Sequence, residues 1–301
     1  PARVWKALGS TDASFALVRQ MVLAFWQSEE MPAEWETGLL KILPKKGDKS
    51  LPGNYRGIMM LEVAYKIVAL ILHMRLTPIC ESIDHLDHET QCGFRGERGC
   101  ADAIFTLKQL IRKRREHGLE TWVLFIDLVK AFDRVPREAL LDPDDGLLWQ
   151  VLLRYGVPPK LVSLLREMHR NVLVQFDVDG VLKTIEAIIG VKQGDLLGPL
   201  LFTFFMAAVM ETWRSSSSYE LPTFHSRPDF QMTGRRSTAR GDEFTVGDSE
   251  YADDTAMPFC SRSDLDEQTP RVVAHFGRWG MEVHEGILDS SGEVVKESKS
   301  E

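Results

Sequence analysis

The sequence predicts an α+β fold built on an antiparallel sheet, and three observations carry that expectation. The apolar run Thr121-Trp-Val-Leu-Phe-Ile126 reads as a buried strand. Asp179-Gly180, lying between Val172 to Val178 and Val181 to Ile189, is a two-residue hairpin signal. Around these lie stretches with apolar residues at helical spacing, and the order strand, helix, strand, hairpin, helix departs from regular βαβ alternation. No internal repeat is visible.

At the start, Phe15, Val18, Met21, Val22 and Phe25 share one helical face over Ser14 to Trp26, and Asp12 or Ser14 can cap it, so a packing helix is expected. Gly47 to Gly57 interrupts with Pro52 and Gly53, as a basic loop or hairpin would. Leu61 to Leu76 resumes as a largely buried helix that should end before Pro78, because proline disfavours helical geometry in the residue before it. Beyond the strand at 121–126, Pro136 suits the first turn of a helix, and Leu147 to Tyr155 and Pro159 to His169 read as two more. Leu196 to Met210 is apolar but shorter than the ~20 residues of a membrane span, so it is expected as a buried helix. Ser215 to Ser249 has the composition of a long surface insertion. Asp264 to Trp279 is amphipathic, and Gly286 to Glu301 suits a last hairpin.

With 301 residues, 44% of them hydrophobic, the chain can bury a substantial core and divide into two subdomains. The net charge of -8 weighs against generalised nucleic-acid binding, which gains affinity by neutralising phosphates. Local basic tracks are nonetheless present. Lys41, Lys45, Lys46 and Lys49 crowd one segment, and Lys108, Arg112 and Arg115 recur at helical spacing beside Ile104, Leu107 and Ile111. Cys80, Cys92, Cys100 and Cys260 lack the paired spacing of a zinc site and are too few for a disulfide scaffold, so a reducing, intracellular setting is expected, nuclear or cytoplasmic. Pro1-Ala-Arg-Val carries no secretory pattern and looks like the interior of a longer protein; no membrane association is expected.

Chemistry enters with Tyr251-Ala252-Asp253-Asp254, two carboxylates side by side before the apolar stretch Thr255 to Phe259. Adjacent residues of a flat strand point to opposite faces, so both aspartates reach one site only if the backbone turns tightly there, as at a hairpin tip. Asp127, ending the strand at 121–126, is a second acidic position that needs a cation or strong hydrogen bonds. Two such carboxylate sites able to share divalent ions point to phosphoryl chemistry.

Across most of its length the chain resembles the reverse transcriptases of non-LTR (LINE-type) retrotransposons. Lys45-Lys-Gly-Asp48 and Asn54-Tyr-Arg-Gly-Ile58 are similar to the first fingers motifs, and Gln91-Cys-Gly-Phe-Arg95 to the segment before the first palm motif. Phe125-Ile-Asp-Leu-Val-Lys-Ala-Phe-Asp133 is similar to motif A, Gly190-Val-Lys-Gln-Gly-Asp195 to motif B, and Tyr251-Ala-Asp-Asp254 to motif C. Trp279-Gly-Met-Glu-Val-His284 and Ser298-Lys-Ser-Glu301 resemble the region of motif D. The resemblance implies a right-hand polymerase core with fingers and palm, an antiparallel palm sheet and no thumb. It distributes fingers and N-terminal helices over 1–120, the palm strand with motif A over 121–135, a return to the fingers over 136–190, and the palm with motifs B, C and D over 191–301.

It further implies an RNA-directed DNA polymerase that extends a DNA primer on an RNA template with dNTPs, using two Mg²⁺ ions, or Mn²⁺ in their place. Asp127 and Asp253 are the expected principal ligands, with Asp254 in support. Lys45 and Arg56 are candidates for the triphosphate, with Lys46 and Lys49 as alternatives to Lys45. Phe132 is the expected ring beneath the incoming sugar, excluding a 2′-hydroxyl. Gln193 and Gly194 are expected against the nucleotide and template base, and Lys299 as a proton donor to pyrophosphate. Asp133 is expected to cap or pair with Arg134 or Arg137 and not to bind metal. Gly198 departs from the serine common in the family. The rival readings are an RNA-dependent RNA polymerase and a non-catalytic nucleic-acid-binding remnant of a mobile element; the oligomeric state stays open.

Overall fold

The computed structural model describes residues 11–51, 54–82, 90–137, 146–178, 180–225, 243–284, 287–288 and 294–296. In chain order its helices are α1 (Asp12–Ser28), α2 (Val63–Ser82), α3 (Cys100–Glu116), α4 (Ala131–Arg134), α5 (Leu147–Arg154), α6 (Pro159–His169), α7 (Leu197–Ser216) and α8 (Arg262–Arg278). Its strands are β1 (Thr37–Pro44), β2 (Tyr55–Met60), β3 (Trp122–Ile126), β4 (Leu173–Val178), β5 (Val181–Glu186), β6 (Thr223–His225), β7 (Glu243–Thr245), β8 (Ser249–Tyr251), β9 (Asp254–Phe259), β10 (Ile287–Leu288) and β11 (Val294–Lys296). The chain divides into two compact units, one formed by Pro1–Ile83 with Phe132–Phe205, the other by Asp84–Ala131 with Met206–Glu301.

In the first unit, α1 is capped by Thr11 and not by Asp12 or Ser14, because the Thr11 hydroxyl accepts from the Ser14 amide at 3.3 Å. Asp12 instead places its charge in the first turn, where the helix dipole favours it. Of the apolar stripe expected to pack, only Phe25 is buried, against Trp35, and Phe15 is 59% exposed. Helix α2 runs on through Pro78 to Ser82 instead of stopping before it. The proline removes one donor, that to the carbonyl of Met74, and the helix continues past it by one more turn. By length and composition α2 could cross a membrane, yet Tyr65, Val68, Ala69, Leu72, Leu76 and Cys80 form one buried face of it.

The sheet of this unit has the order β2-β1-β4-β5. It is mixed where an antiparallel sheet was expected: β1 runs parallel to β4, pairing Thr37 with Leu173 and Leu39 with Gln175. The long helical excursion between these strands gives the chain length to return in the same direction. The hairpin around Gly180 forms as the sequence indicates, closing with Val178 opposite Val181. Helices α5 and α6 pack together, and Leu148, Trp149, Leu152, Leu161, Leu164, Leu165 and Met168 are buried with the inner face of α2. Pro136 and Arg137, where a helix was expected to begin, are not helical, and residues 138–145 lie outside the described residues.

The second unit is organised by a three-stranded antiparallel sheet of order β3-β9-β8. Central strand β9 is buried from Thr255 to Phe259, and α8 packs on β3 and β9 through Val272 and Phe276. Helix α3 lies against β8 and β6 and buries Ala103, Leu110 and Arg114. Arg114 is satisfied by the carbonyls of Glu120 and Thr223 and the Thr121 hydroxyl. Within the expected surface insertion, the described residues include the end of α7, the antiparallel pair β6 with β7, and the approach to β8, where Asp248 and Ser249 are buried. The tail forms the anticipated antiparallel pair β10 with β11.

Glycine geometry predicts a measurable difference within the first unit. Gly190 has φ 81, donates to the Val135 carbonyl, and leaves a Cβ only 2.6 Å from the Asp133 oxygen, whereas Gly156, at φ 78, faces open space. Gly156→Ala should cost about 1 kcal/mol from left-handed strain alone, and Gly190→Ala about 3 kcal/mol in all, read as unfolding free energies in urea.

Candidate active site

Register alone brings the acidic residues of the second unit together. Strand β3 pairs antiparallel with β9, Ile126 opposite Thr255, so Asp127 follows β3 at the end of the sheet where Asp254 opens β9. Strands β8 and β9 pair Tyr251 with Asp254, leaving Ala252 and Asp253 as the two residues of the turn. The hairpin tip read from the tetrapeptide is therefore present. Ala252 adopts φ 59, the left-handed region that glycine usually supplies in such turns. Asp127 and Asp253 are half-buried and Asp254 is exposed. The Asp254 carboxyl is raised above its ordinary range by partial burial and by the charges of Asp253 and Asp127.

Asp127 and Asp254 open into a cavity of about 490 Å³ whose walls include Tyr251, Phe125, Ile104 and Leu107. Among the described residues no group of three His, Cys, Asp or Glu side chains is placed to hold a metal ion by itself. The site is a set of carboxylates crowded enough to repel, beside an open cleft. The end of β3 is fixed from a further side. His284 N–H donates to the Asp127 carbonyl, Val129 N–H to the Glu282 carbonyl, and Leu128 bridges to Val283. These partners belong to the segment Trp279 to His284; Lys299 lies outside the described residues.

Sequence reasoning did not find the polar layer beneath the hairpin. Asp248 and Glu250 are buried in and beside β8, and Arg214 of α7 bonds both oxygens of Asp248 at 2.8 Å and Glu250 at 3.3 Å. One guanidinium faces two buried carboxyl groups. Burial, and then the Asp248 charge, push Glu250 up to about 8. The available signal was an acidic residue next to Tyr251, in a strand that must be covered.

In the first unit, Lys45 and Arg56 sit on one face of the β1–β2 hairpin, since Leu43 pairs with Arg56 and Lys45 N–H donates to the Asn54 carbonyl. Both side chains are exposed, with Lys41, Leu39, Leu43, Ile58 and Met60 on the same face. Phe132 is half-buried and stacks on fully buried Phe202, with centroids 4.3 Å apart. Gln193 donates through its amide to Asp133, and its carbonyl accepts from Met59 N–H at 2.8 Å. Gly194, at φ 103, would put a Cβ 2.7 Å from the Met59 carbonyl, so its lack of a side chain is required. Gly198 has a comparable reason, because a Cβ there would lie 2.7 Å from the Lys192 carbonyl.

The loop carrying Gln193 and Gly194 rests on buried charge. The Lys192 ammonium donates to the Met168 carbonyl and the Tyr65 hydroxyl, and Tyr65 donates to Asp195 at 2.7 Å. Arg137, also buried, donates to the carbonyls of His169 and Ala187. His169 is held well below its ordinary range by burial and by Lys192 and Arg137. In the second unit, Lys108, Arg112 and Arg115 of α3 form an exposed basic track, with Ile104 and Ile111 exposed beside it.

The family model described as "Reverse transcriptase (RNA-dependent DNA polymerase)" matches residues 43–286. Among curated relatives, "Transposon TX1 uncharacterized 149 kDa protein" of Xenopus laevis is 32% identical over 143 residues, 47% of this chain and 10% of the relative. "Probable RNA-directed DNA polymerase from transposon X-element" of Drosophila melanogaster is 24% identical over 292 residues, 93% of this chain and 28% of the relative. "RNA-directed DNA polymerase from mobile element jockey", from the same organism, is 26% identical over 237 residues, 78% of this chain and 22% of the relative. The chain thus spans less than a third of the length of these relatives. Among solved structures, telomerase from Candida Tropicalis in complex with a fragment of telomeric RNA superposes with a TM-score of 0.55 at 12% identity, covering 93% of this chain and 48% of that one. Apo telomerase from the same source gives 0.53 at 11%, covering 99% and 50%. These likenesses show the fold.

Buried Lys192 predicts a pH signature. Burial, opposed by Asp195 and reinforced by Arg137, lowers its ammonium from 10.5 to about 8. Between these values the unfolded chain holds a proton that the folded chain has lost, so this group makes stability rise with pH. Relative to Lys192→Met, the parent should gain on the order of 2 kcal/mol between pH 8 and 10, measured by urea unfolding at both.

Proposed function

We propose, since the chain belongs to the reverse transcriptase (RNA-dependent DNA polymerase) family, that it copies an RNA template of a LINE-type mobile element by extending a DNA primer 3′-hydroxyl with dNTPs. Its fold is α+β, with the fingers and palm of a right-hand polymerase and an antiparallel palm sheet, β3-β9-β8. The observation that carries the reading is the convergence, by strand register, of Asp127, Asp253 and Asp254 on one end of that sheet, close enough for Asp254 to feel the other two charges.

Divalent ions fit what the residues offer. Carboxylate oxygens are hard donors, their negative charges are crowded, and Mg²⁺ characteristically takes one or two carboxylates together with substrate phosphates and water instead of a complete protein cage. Asp127 and Asp253 would hold the ions, with Asp254 in support. When bound, such ions lower the pKa of the primer hydroxyl and neutralise charge on the departing pyrophosphate. The chain's own contribution is positioning. The sheet fixes where the carboxylates stand, and in the first unit exposed Lys45 and Arg56 offer a point charge and a forked donor to a triphosphate. Gln193 and Gly194 offer an amide and a bare backbone to a nucleotide base. The basic track on α3 supports contact with the nucleic-acid backbone.

Phe132 is assigned to sugar selection. Its stack on buried Phe202 holds the ring in place, and a fixed ring can exclude a 2′-hydroxyl by steric clash. Nothing in an RNA-dependent RNA polymerase would need that exclusion.

Primer extension on poly(rA)/oligo(dT) with Mg²⁺ tests the main reading. Asp253→Asn should lower the rate about a hundredfold or more; retained binding with no extension by the parent chain would identify a non-catalytic remnant instead. Phe132→Val should raise rUTP incorporation relative to dTTP on this template, scored as the ratio of kcat/KM values, and an unchanged ratio removes the assigned role.

A further inference from the structure

The turn that carries Asp253 is gripped by a side chain from outside the acidic residues. Gln91 is 7% exposed, and both ends of its amide are in use. Oε1 accepts from the backbone N–H of Ala252 at 2.9 Å and of Gly93 at 2.7 Å. Nε2 donates to the Ala252 carbonyl at 3.3 Å and to Glu250 Oε2 at 3.1 Å. An amide has two donor hydrogens and an oxygen with two lone pairs, so its full capacity is engaged. What it engages is the one residue of the tip whose backbone is strained, Ala252 at φ 59. Such a conformation persists only where the surroundings over-determine it.

The backbone around Gln91 reinforces the grip. Glu250 N–H donates to the Thr90 carbonyl and Cys92 N–H to the Glu250 carbonyl, both at 2.8 Å, making a parallel bridge between Gln91 and Glu250. A Cβ on Gly93 would stand 2.2 Å from the Ala252 nitrogen, so the two backbones are already in contact. Arg214 fastens the base of the assembly, donating to Asp248, to Glu250 and to the Thr90 hydroxyl at 3.1 Å.

We propose that Gln91 is a positioning residue for nucleotidyl transfer: it locks the left-handed turn at Ala252 so that Asp253 and Asp254 are presented to divalent ions at a fixed angle. The inference rests on the polymerase reading above and deepens it. Gln91 touches no reacting atom and acts through the turn. Partners of this outer kind typically change metal affinity or activity by about 10–100-fold when removed.

The test compares the parent chain with Gln91→Met, which keeps the length and loses the hydrogen bonds, and with Gln91→Glu, which keeps an acceptor for the two amides but loses the donor. Free Mn²⁺ is followed by electron paramagnetic resonance as it titrates a complex of protein, RNA template, dideoxy-terminated primer and dNTP; extension kinetics and thermal unfolding run in parallel. Gln91→Met should weaken Mn²⁺ binding and lower kcat, each about tenfold, with KM for primer-template within about twofold of the parent. Gln91→Glu should fall in the same direction and serves as the readout if the Met variant does not fold. Parent-like Mn²⁺ affinity and kcat in a folded variant overturn the proposal, as does a loss confined to KM. A parent chain that neither binds Mn²⁺ in this complex nor extends a primer removes the polymerase reading itself, and this inference with it.

Discussion

Like charges that have to stand together set the terms for the second unit. The charges of Asp253 and Asp127 add to partial burial in making the Asp254 carboxyl harder to ionise, and flexible segments left to themselves would let such groups separate. A β-sheet is suited to prevent that, because its register fixes where each strand ends to within a residue. The pairing of Ile126 with Thr255 and of Tyr251 with Asp254 is the arithmetic of the site. Much of the rest of the unit serves that register: buried β9, α8 packed against β3 and β9, and the segment around Val283 that holds the exit from β3.

The first unit solves a related problem with different means. The loop bearing Gln193 and Gly194 has no sheet of its own to brace it, and its support is a buried polar network. Tyr65 links Asp195 to Lys192, Lys192 reaches the end of α6 at Met168, and glycines at 190, 194 and 198 let backbone meet backbone without an intervening side chain. Buried networks of this sort are costly when half satisfied and rigid when complete. That rigidity fits a segment whose carbonyl at Gln193 must also meet β2 at Met59.

What could be read from the sequence was whatever local pattern determines. The hairpin at Gly180, the strand before Asp127, the helices α5 and α6 and the turn at Ala252-Asp253 all follow from short-range alternation, helical spacing or paired turn residues. The misjudged features depend on partners far away in the chain. Whether Phe15 is covered, whether β1 finds a parallel neighbour in β4, and whether α2 survives Pro78 are decided by packing that no window of ten residues contains. The site divides the same way. The aspartates announce themselves as adjacent acids beside apolar strands, but the significance of Gln91 and Arg214 appears only when residues some 120 to 160 positions apart are brought into contact. Gly198 stood out only as a departure from the family's serine; the carbonyl of Lys192 shows why a side chain has no room there.

The contact between Gly93 and Ala252 has a bearing on which substitutions the hairpin can tolerate. Every missense change of a glycine codon adds at least one carbon, and at position 93 that carbon would fall 2.2 Å from a nitrogen of the hairpin. The geometry of the acidic pair can thus be lost while every aspartate remains in place, so intact carboxylates alone do not certify an intact hairpin.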